Sequence, residues 1–242
     1  MNDRSKQVRF DAFKLSKANG GYHYGGSFSA TEILITLYDK VLTDKDKFIL
    51  SKGHSCWPYY VLLKEKGLNP KLEAHPTYDD NNGVHCTTGT LGHGLPIGIG
   101  MAWAKKLKKD QGRVFVLLGD GECQEGTLWE SLLIASHRKI DNIIAIIDHN
   151  KIQGAGFVNE ILPINCIEKV AQECNWHTMN IDGHNEKEIL SSLLMYTEAN
   201  KPLLIIANTI KGKGISFMEN KPEWHAQWPG GEYEKQLIEE LS

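Results

Sequence analysis

The chain has 242 residues, 41% of them hydrophobic and 24% charged, an ordinary globular balance with length enough for a sizeable core. That composition excludes disordered, collagen-like and low-complexity classes. With 27 Lys and Arg against 30 Asp and Glu, a net charge of −3 carries no basic stripe of the kind a nucleic acid selects.

The N-terminal stretch Met1 to Phe10 is polar and lacks a signal-peptide core. No apolar run approaches the ~18 residues of a membrane span. Apolar spacing predicts a first helix over Asp3 to Ala18. Ser29 followed by Glu32 reads as a capping box that opens a second helix, Ala30 to Val41. Phe48 to Leu50 reads as a short buried strand, and Cys56 to Lys66 as a helix ended by Gly67. From Leu68 to Gly92 periodicity stops, and a loop of that length inside a domain is more often functional than idle. A helix follows over Leu95 to Leu107, with Lys105, Lys106, Lys108 and Lys109 at its solvated end. Val114 to Leu118 and Ile143 to Ile147 are uninterrupted apolar strands flanking an amphipathic helix, Gln124 to Arg138. Then come a helix over Ile167 to Cys174, a strand over Thr178 to Ile181, a helix over Glu186 to Glu198, a strand over Leu203 to Asn208 and a helix after Gly231.

Continuous apolar strands alternating with helices predict a doubly wound α/β fold, a parallel sheet with helices on both faces, as one domain over residues 1–242. Ligands of such sheets bind at the carboxyl ends of the strands. Gly119-Asp120-Gly121 follows one strand and Asp148-His149-Asn150 the next, so Asp120 and Asn150 sit one αβ unit apart at the same edge. A carboxylate and an amide oxygen are hard ligands suited to Mg²⁺ or Ca²⁺, and Mg²⁺ held by so few side chains completes its shell with water and phosphate. Gly119 and Gly121 admit a phosphate close to the backbone, and the helix starting near Gln124 offers free N–H groups. The bland alternative is a tight turn and a helix cap. Cys56, Cys86, Cys123, Cys166 and Cys174 form no Cys-x-x-Cys pair and read as reduced thiols of a cytoplasmic chain.

Gly-Asp-Gly followed some thirty residues later by Asn resembles the thiamine-diphosphate enzymes. More narrowly, the chain resembles the N-terminal half of transketolase from about Ala12 to Leu241. His23-Tyr-Gly-Gly-Ser27, Ser51-Lys-Gly-His54, His75-Pro76 with Gly89-Thr-Leu91-Gly92, Gly119 to Gly126, Asn150-Lys-Ile152, Lys211-Gly-Lys-Gly214 and Trp224-His225 fall in the family order. The resemblance implies a thiamine diphosphate-binding fold and transfer of a two-carbon ketol unit from a ketose to an aldose. It implies that Asp120, Asn150 and the Ile152 carbonyl hold Mg²⁺, with Ca²⁺ or Mn²⁺ as substitutes. Gly89, Leu91, Gly121, Glu122, Asn150, His54 and His225 would contact thiamine diphosphate. His23, His54, His75 and His225 fall at the family's active-site histidines, and Glu125 where the family communicates across a subunit interface. Imidazole suits proton traffic because its ordinary pKa is near ~6.5.

In the family, the carboxylate that activates the cofactor lies in a second domain, and this chain ends at Ser242, just past the first. The expectation is therefore the N-terminal subunit of a split transketolase. A separate C-terminal subunit would bring the pyrimidine-binding and C-terminal domains, in an α2β2 heterotetramer acting on sugars or sugar phosphates. Tyr22 where the family has Gly, Ala155 where it has Asp, and His93 where it has Gln depart from the pattern. Trp57, Tyr59 and Trp228 add aromatic bulk near matching motifs. These departures suggest an altered channel and a modified sugar as donor or acceptor. Rival readings are a 1-deoxyxylulose-5-phosphate synthase-like or 2-oxo acid dehydrogenase-like subunit, a nicotinamide dehydrogenase, and a non-catalytic binding or regulatory module. Gly92 to Gly98 follows a loop rather than a strand, which disfavours the dinucleotide reading.

Overall fold

The computed structural model describes residues 1–195 and 200–242. Within them β1 (Lys47–Leu50), β2 (Val114–Gly119), β3 (Ile143–His149), β7 (Leu203–Asn208) and β6 (His177–Asp182) lie side by side in that order, all parallel. Leu50 opposes Leu117, Leu117 opposes Ile146, and Ile146 opposes Ile205. An antiparallel ribbon, β4 (Ile152–Gln153) and β5 (Gly156–Phe157), follows β3.

Successive strand side chains point to opposite faces, and here both faces are covered. Phe48, Leu50, Phe115, Leu117, Ile144, Ile146, Leu203 and Ile205 enter one core. That core is closed by α1 (Asp3–Asn19), α3 (Thr31–Thr36), α4 (Trp57–Glu65) and α9 (Glu186–Met195). Ile49, Val116, Leu118, Ile143, Ile147 and Leu204 enter the other, closed by α5 (Gly94–Lys108), α6 (Gly126–His137) and α8 (Ile167–Glu173). This double burial is why the central strands read as continuous apolar runs instead of alternating ones. Each buried Leu or Ile contributes about 1.5–3 kcal/mol of transfer free energy. A third cluster joins α1 and α2 (Tyr24–Ser29) to Phe217, Trp224 and α10 (Glu232–Leu241). The short α7 (Val158–Ile161) follows the ribbon.

The fold class and every predicted strand are present. The capping box is not. Ser29 Oγ bonds Gly26 O and Asp148, and Glu32 bonds Arg9 and His184, so α3 has no side-chain cap. Buried charge claims these side chains more strongly than a helix terminus does. The predicted Ala30 to Val41 helix runs as α3 and then widens into a π turn, Leu37–Val41. A 3-10 turn, Gly121–Gln124, precedes α6, which moves the helix start from Gln124 to Gly126. The Leu68 to Gly92 stretch is irregular apart from a 3-10 turn, Asp80–Asn82, and an Asp79–Val84 bridge. Residues 196–198 of the predicted Glu186 to Glu198 helix lie outside the described residues. Among the described residues no helix is long and apolar enough to cross a membrane. The five cysteines are unpaired.

The crossover leaving β3 reaches outer β6 before the chain returns as β7 between them. The exits of β2, β3 and β7 are therefore adjacent, which brings Gly119–Gly121, Asn150–Ile152 and Thr209–Lys211 to one place.

Candidate active site

At those strand exits lies a cavity of about 450 Å³. All the residues singled out from the sequence as catalytic, cofactor-binding or metal-holding line it: the four histidines, Glu125, Gly89, Leu91, Gly121, Glu122, Asp120, Asn150 and Ile152. Asp120 is 2% exposed and accepts hydrogen bonds from the Gly121 and Lys151 amides. Burial, and then the charge of Asp148, push its carboxyl above the usual range. Asn150 donates through Nδ2 to Ser29 Oγ and Asp148, both at 3.2 Å, while Oδ1 accepts from the Ile152 amide at 3.2 Å. Its amide orientation is thus set by Asp148, which accepts only.

Asp148 is fully buried and also accepts from Lys52, Ser29 and Thr209. Burial alone would raise its carboxyl; the Lys52 ammonium beside it, with the hydroxyls, holds it below the usual range. Lys211 is 2% exposed and donates from Nζ to Ile152 O and His225 Nδ1, both at 2.7 Å. Burial, then repulsion from Lys52, lowers it to about 7 against the attraction of Asp120 and Asp148. The sequence reading gave Lys52, Asp148 and Lys211 no role. Each lies in or beside a motif already noted, and a lysine inside a Gly- and His-rich strand exit was the available signal.

Glu122 faces the cavity but its carboxylate serves the wall. It accepts from the Gly92 amide at 2.9 Å, the Gly119 amide at 3.1 Å and Ser51. Gly92 sits at φ +81°, and a Cβ there would meet Glu125 Cβ at 2.6 Å. Gly121 is glycine for a contact reason: a Cβ would lie 2.7 Å from Gln153 Cβ in the ribbon. Glu125 is exposed at the cavity edge and precedes α6.

Three imidazoles form a near-equilateral triangle. Ring centroids of His23 and His54 are 5.5 Å apart, His54 and His225 5.5 Å, and His23 and His225 5.7 Å. His75 stands 6.4 Å from His23 on the exposed side. Burial, then His75 and Lys211, lower His23 to about 4. Burial, then Lys211 and His23, lower His225 to about 3, and burial carries His54 well down as well. These three rings are neutral at pH 7, so each offers one N–H donor and one acceptor. With Lys211 as an ammonium, which only donates, His225 Nδ1 accepts and its proton sits on Nε2, the nitrogen left for the cavity.

The departures from the resembled pattern fall in different places. Ala155 lines the cavity, and Tyr22 is exposed with its ring stacked on His23 at 4.7 Å. His93 lies outside, along a neighbouring groove that shares His75. Trp57 and Tyr59 are core residues, 1% exposed, and Trp228 stacks on Phe13; none of them lines the cavity. The expectation that their bulk alters the channel is corrected accordingly. Among the other histidines, His85 pairs with Asp80, His149 with Asn208 and His184 with Glu32.

The donor set suits a hard divalent cation. Among the described residues no three His, Cys, Asp or Glu side chains gather as a metal cluster. A cation here would therefore combine one carboxylate, one amide oxygen and one backbone carbonyl with oxygens brought by a ligand. Burial and the like charge of Asp148 raise the Asp120 carboxyl against the attraction of Lys211, whose Nζ donates to the Ile152 carbonyl.

Residues 3–239 match the family model described as transketolase, thiamine diphosphate binding domain. The chain is 38% identical to an apulose-4-phosphate transketolase subunit of Actinobacillus succinogenes, covering 100% of this chain and 95% of that one. It is 35% identical to a 6-deoxy-6-sulfo-D-fructose transketolase subunit of a Clostridium species, over 90% and 88%. The transketolase of Campylobacter jejuni superposes with a TM-score of 0.87 at 26% identity, covering 100% of this chain and 43% of that one. The chain thus spans about two-fifths of the length of that solved relative.

Proposed function

The chain belongs to the transketolase thiamine diphosphate-binding domain family, and from that premise we propose that it is the cofactor-holding subunit of a two-chain transketolase. The observation that carries the proposal is the convergence of Asp120, Asn150 and Ile152 with four histidines in one cavity at the strand exits. Asp120, the Asn150 amide oxygen and the Ile152 carbonyl would hold Mg²⁺, with the diphosphate against Gly121 and its charge answered by Lys52 and Lys211. When bound, thiamine diphosphate supplies the carbon nucleophile and electron sink for breaking and remaking a C–C bond beside a carbonyl.

The chain's own residues do the rest. The neutral rings of His23, His54 and His225 hydrogen-bond sugar oxygens and exchange protons with them without adding charge to a cavity that already holds two lysines. His225 presents Nε2–H, which suits the developing negative charge on a carbonyl oxygen. His75, at the exposed side, suits a donor hydroxyl. Glu125 at the rim suits contact with a partner chain.

Two apulose-4-phosphate relatives are themselves named as transketolase subunits, and this chain spans 95% and 88% of their length, which supports a partner carrying the remaining transketolase domains. We assign an α2β2 assembly and a cytoplasmic setting, the latter consistent with five unpaired thiols. The relatives are named for apulose-4-phosphate and for 6-deoxy-6-sulfo-D-fructose, which supports a modified sugar over the standard pentose phosphates here.

The test is co-expression with the product of the adjacent gene, followed by a ketol-transfer assay over a panel of ketoses and ketose phosphates with thiamine diphosphate and Mg²⁺. Activity in the mixture, and from neither chain alone, is the expected result. Transfer at full rate by this chain alone would overturn the split-enzyme reading, and equal turnover of every sugar would overturn the modified-sugar reading.

A further inference from the structure

A buried polar chain outside the cavity reaches one of its walls. Arg9, fully buried on α1, forms a fork with Glu32 on α3: Nη1 to Oε1 at 2.7 Å and Nη2 to Oε2 at 2.8 Å. Arg9 Nη2 also donates to Phe28 O at 2.7 Å. His184, on the turn after β6, contacts Glu32 Oε2 through Nδ1 at 2.9 Å. Its Nε2 lies 2.8 Å from the amide nitrogen of Ile210, just beyond β7. A backbone N–H only donates, so Nε2 is the acceptor and Nδ1 carries the proton given to Glu32. Both ring nitrogens are committed, and the ring is fixed at both ends.

The residue after Ile210 is Lys211, whose Nζ holds Ile152 O and His225 Nδ1. Neighbours in this segment are tied to backbone: the Thr209 amide to His149 O at 3.2 Å and the Gly212 amide to Gly25 O at 2.9 Å. Ile210 is tied to a side chain that α1 and α3 hold in place. We propose that His184 is a positioning residue for the cavity: through Ile210 it sets the reach of Lys211, and through Lys211 the ring orientation of His225 and the Ile152 carbonyl. The proposal rests on the functional reading above for its consequence in cofactor binding, and on geometry alone for its consequence at His225.

Two conservative variants separate the two ends of the ring. In His184→Asn the amide replaces Nδ1 and keeps a donor for Glu32, but leaves the Ile210 amide without its acceptor. In His184→Gln the longer side chain places its oxygen where Nε2 lies and restores that acceptor. In the cofactor-free full chain, amide exchange at Ile210 and the imidazole nitrogen resonances of His225 are followed by NMR. Thiamine diphosphate binding in Mg²⁺ is measured by calorimetry, and thermal melting checks the fold.

His184→Asn is expected to speed Ile210 exchange, shift the His225 resonances and weaken cofactor binding roughly tenfold, the scale of one hydrogen bond to a buried group. His184→Gln is expected to restore all three. In a Lys211→Met background, His184→Asn is expected to change affinity by less than about twofold, because effects transmitted through one residue do not add. Unchanged His225 resonances in His184→Asn, equal behaviour of the Asn and Gln variants, or an undiminished loss in the Lys211→Met background would each overturn the proposal. If the resonances shift as expected while the wild-type chain, alone and with its partner, binds no thiamine diphosphate, the positioning role stands and the functional reading falls.

Discussion

Glu32 shows how one side chain links stability to pH. Burial alone would raise its carboxyl, but hydrogen bonds from His184 and Arg9 and the Arg9 charge bring it down to about 2 from an ordinary value of 4.5. A carboxyl depressed on folding contributes stability that is complete above about 4.5 and is lost as pH falls towards about 2. The difference corresponds to roughly 3 kcal/mol at neutral pH. Glu32→Gln is expected to lose about that much at pH 7 in urea unfolding, and progressively less as pH falls from 4.5 towards about 2, because the unfolded chain's carboxyl protonates first and the folded one only near 2. A penalty that stays constant down to pH 2.5 would assign the loss to packing and not to charge. The same reasoning separates Asp120 from Asp148. Both are buried, yet Asp148 has an ammonium and two hydroxyls on it and is held below the usual range, whereas Asp120 lies above it.

At the scale of elements, the central strands carry the fold because both of their faces are closed. Leu117 in β2 is fully buried between β1 and β3, whereas Leu133 in α6 is 62% exposed. Leu117→Ala is expected to cost about 2–5 kcal/mol through lost transfer free energy and the cavity left behind. Leu133→Ala is expected to stay within about 0.5 kcal/mol. Chemical denaturation of the two variants checks the contrast, and similar costs would mean that the outer face of α6 is covered in the folded chain. Junctions matter as much as the elements. The Gly92 turn brings the end of the irregular Leu68 to Gly92 stretch against Glu125 at the start of α6, and the Glu122 carboxylate ties its amide to the β2 exit.

At the scale of the whole molecule, the cavity is a meeting place of three strand exits, and a ligand that joins them should stabilise the fold. Thiamine diphosphate with Mg²⁺ at about a hundred times its dissociation constant is expected to add about 2.7 kcal/mol. For a chain of this size that is a rise of roughly 5–10 °C in melting temperature. Chelation of the cation is expected to remove the rise, because Asp120 and the diphosphate would then face each other unneutralised. Scanning calorimetry of the chain, alone and with its partner, reads this directly. An equal rise in the presence of a chelator would show that Asp120, Asn150 and Ile152 do not hold a cation.

The sheet was legible in the sequence because burial on both faces leaves a signal in every strand residue, as Val114 to Leu118 and Ile143 to Ile147 show. The candidate site was legible where motif and strand exit coincide, at Asp120 and Asn150, and at the histidines inside short motifs such as Ser51-Lys-Gly-His54. Pairings between distant residues were decided by the tertiary structure. Ser29 and Asp148 are 119 residues apart, and Glu32 and His184 152. A local pattern reports which neighbours along the chain can satisfy a polar group. It does not report which buried charge, brought close by packing, will compete for it. That competition took Ser29 and Glu32 from the predicted helix cap. It also gathered Lys52, Asp148 and Lys211 beneath the cavity and placed His184 where it can hold Ile210.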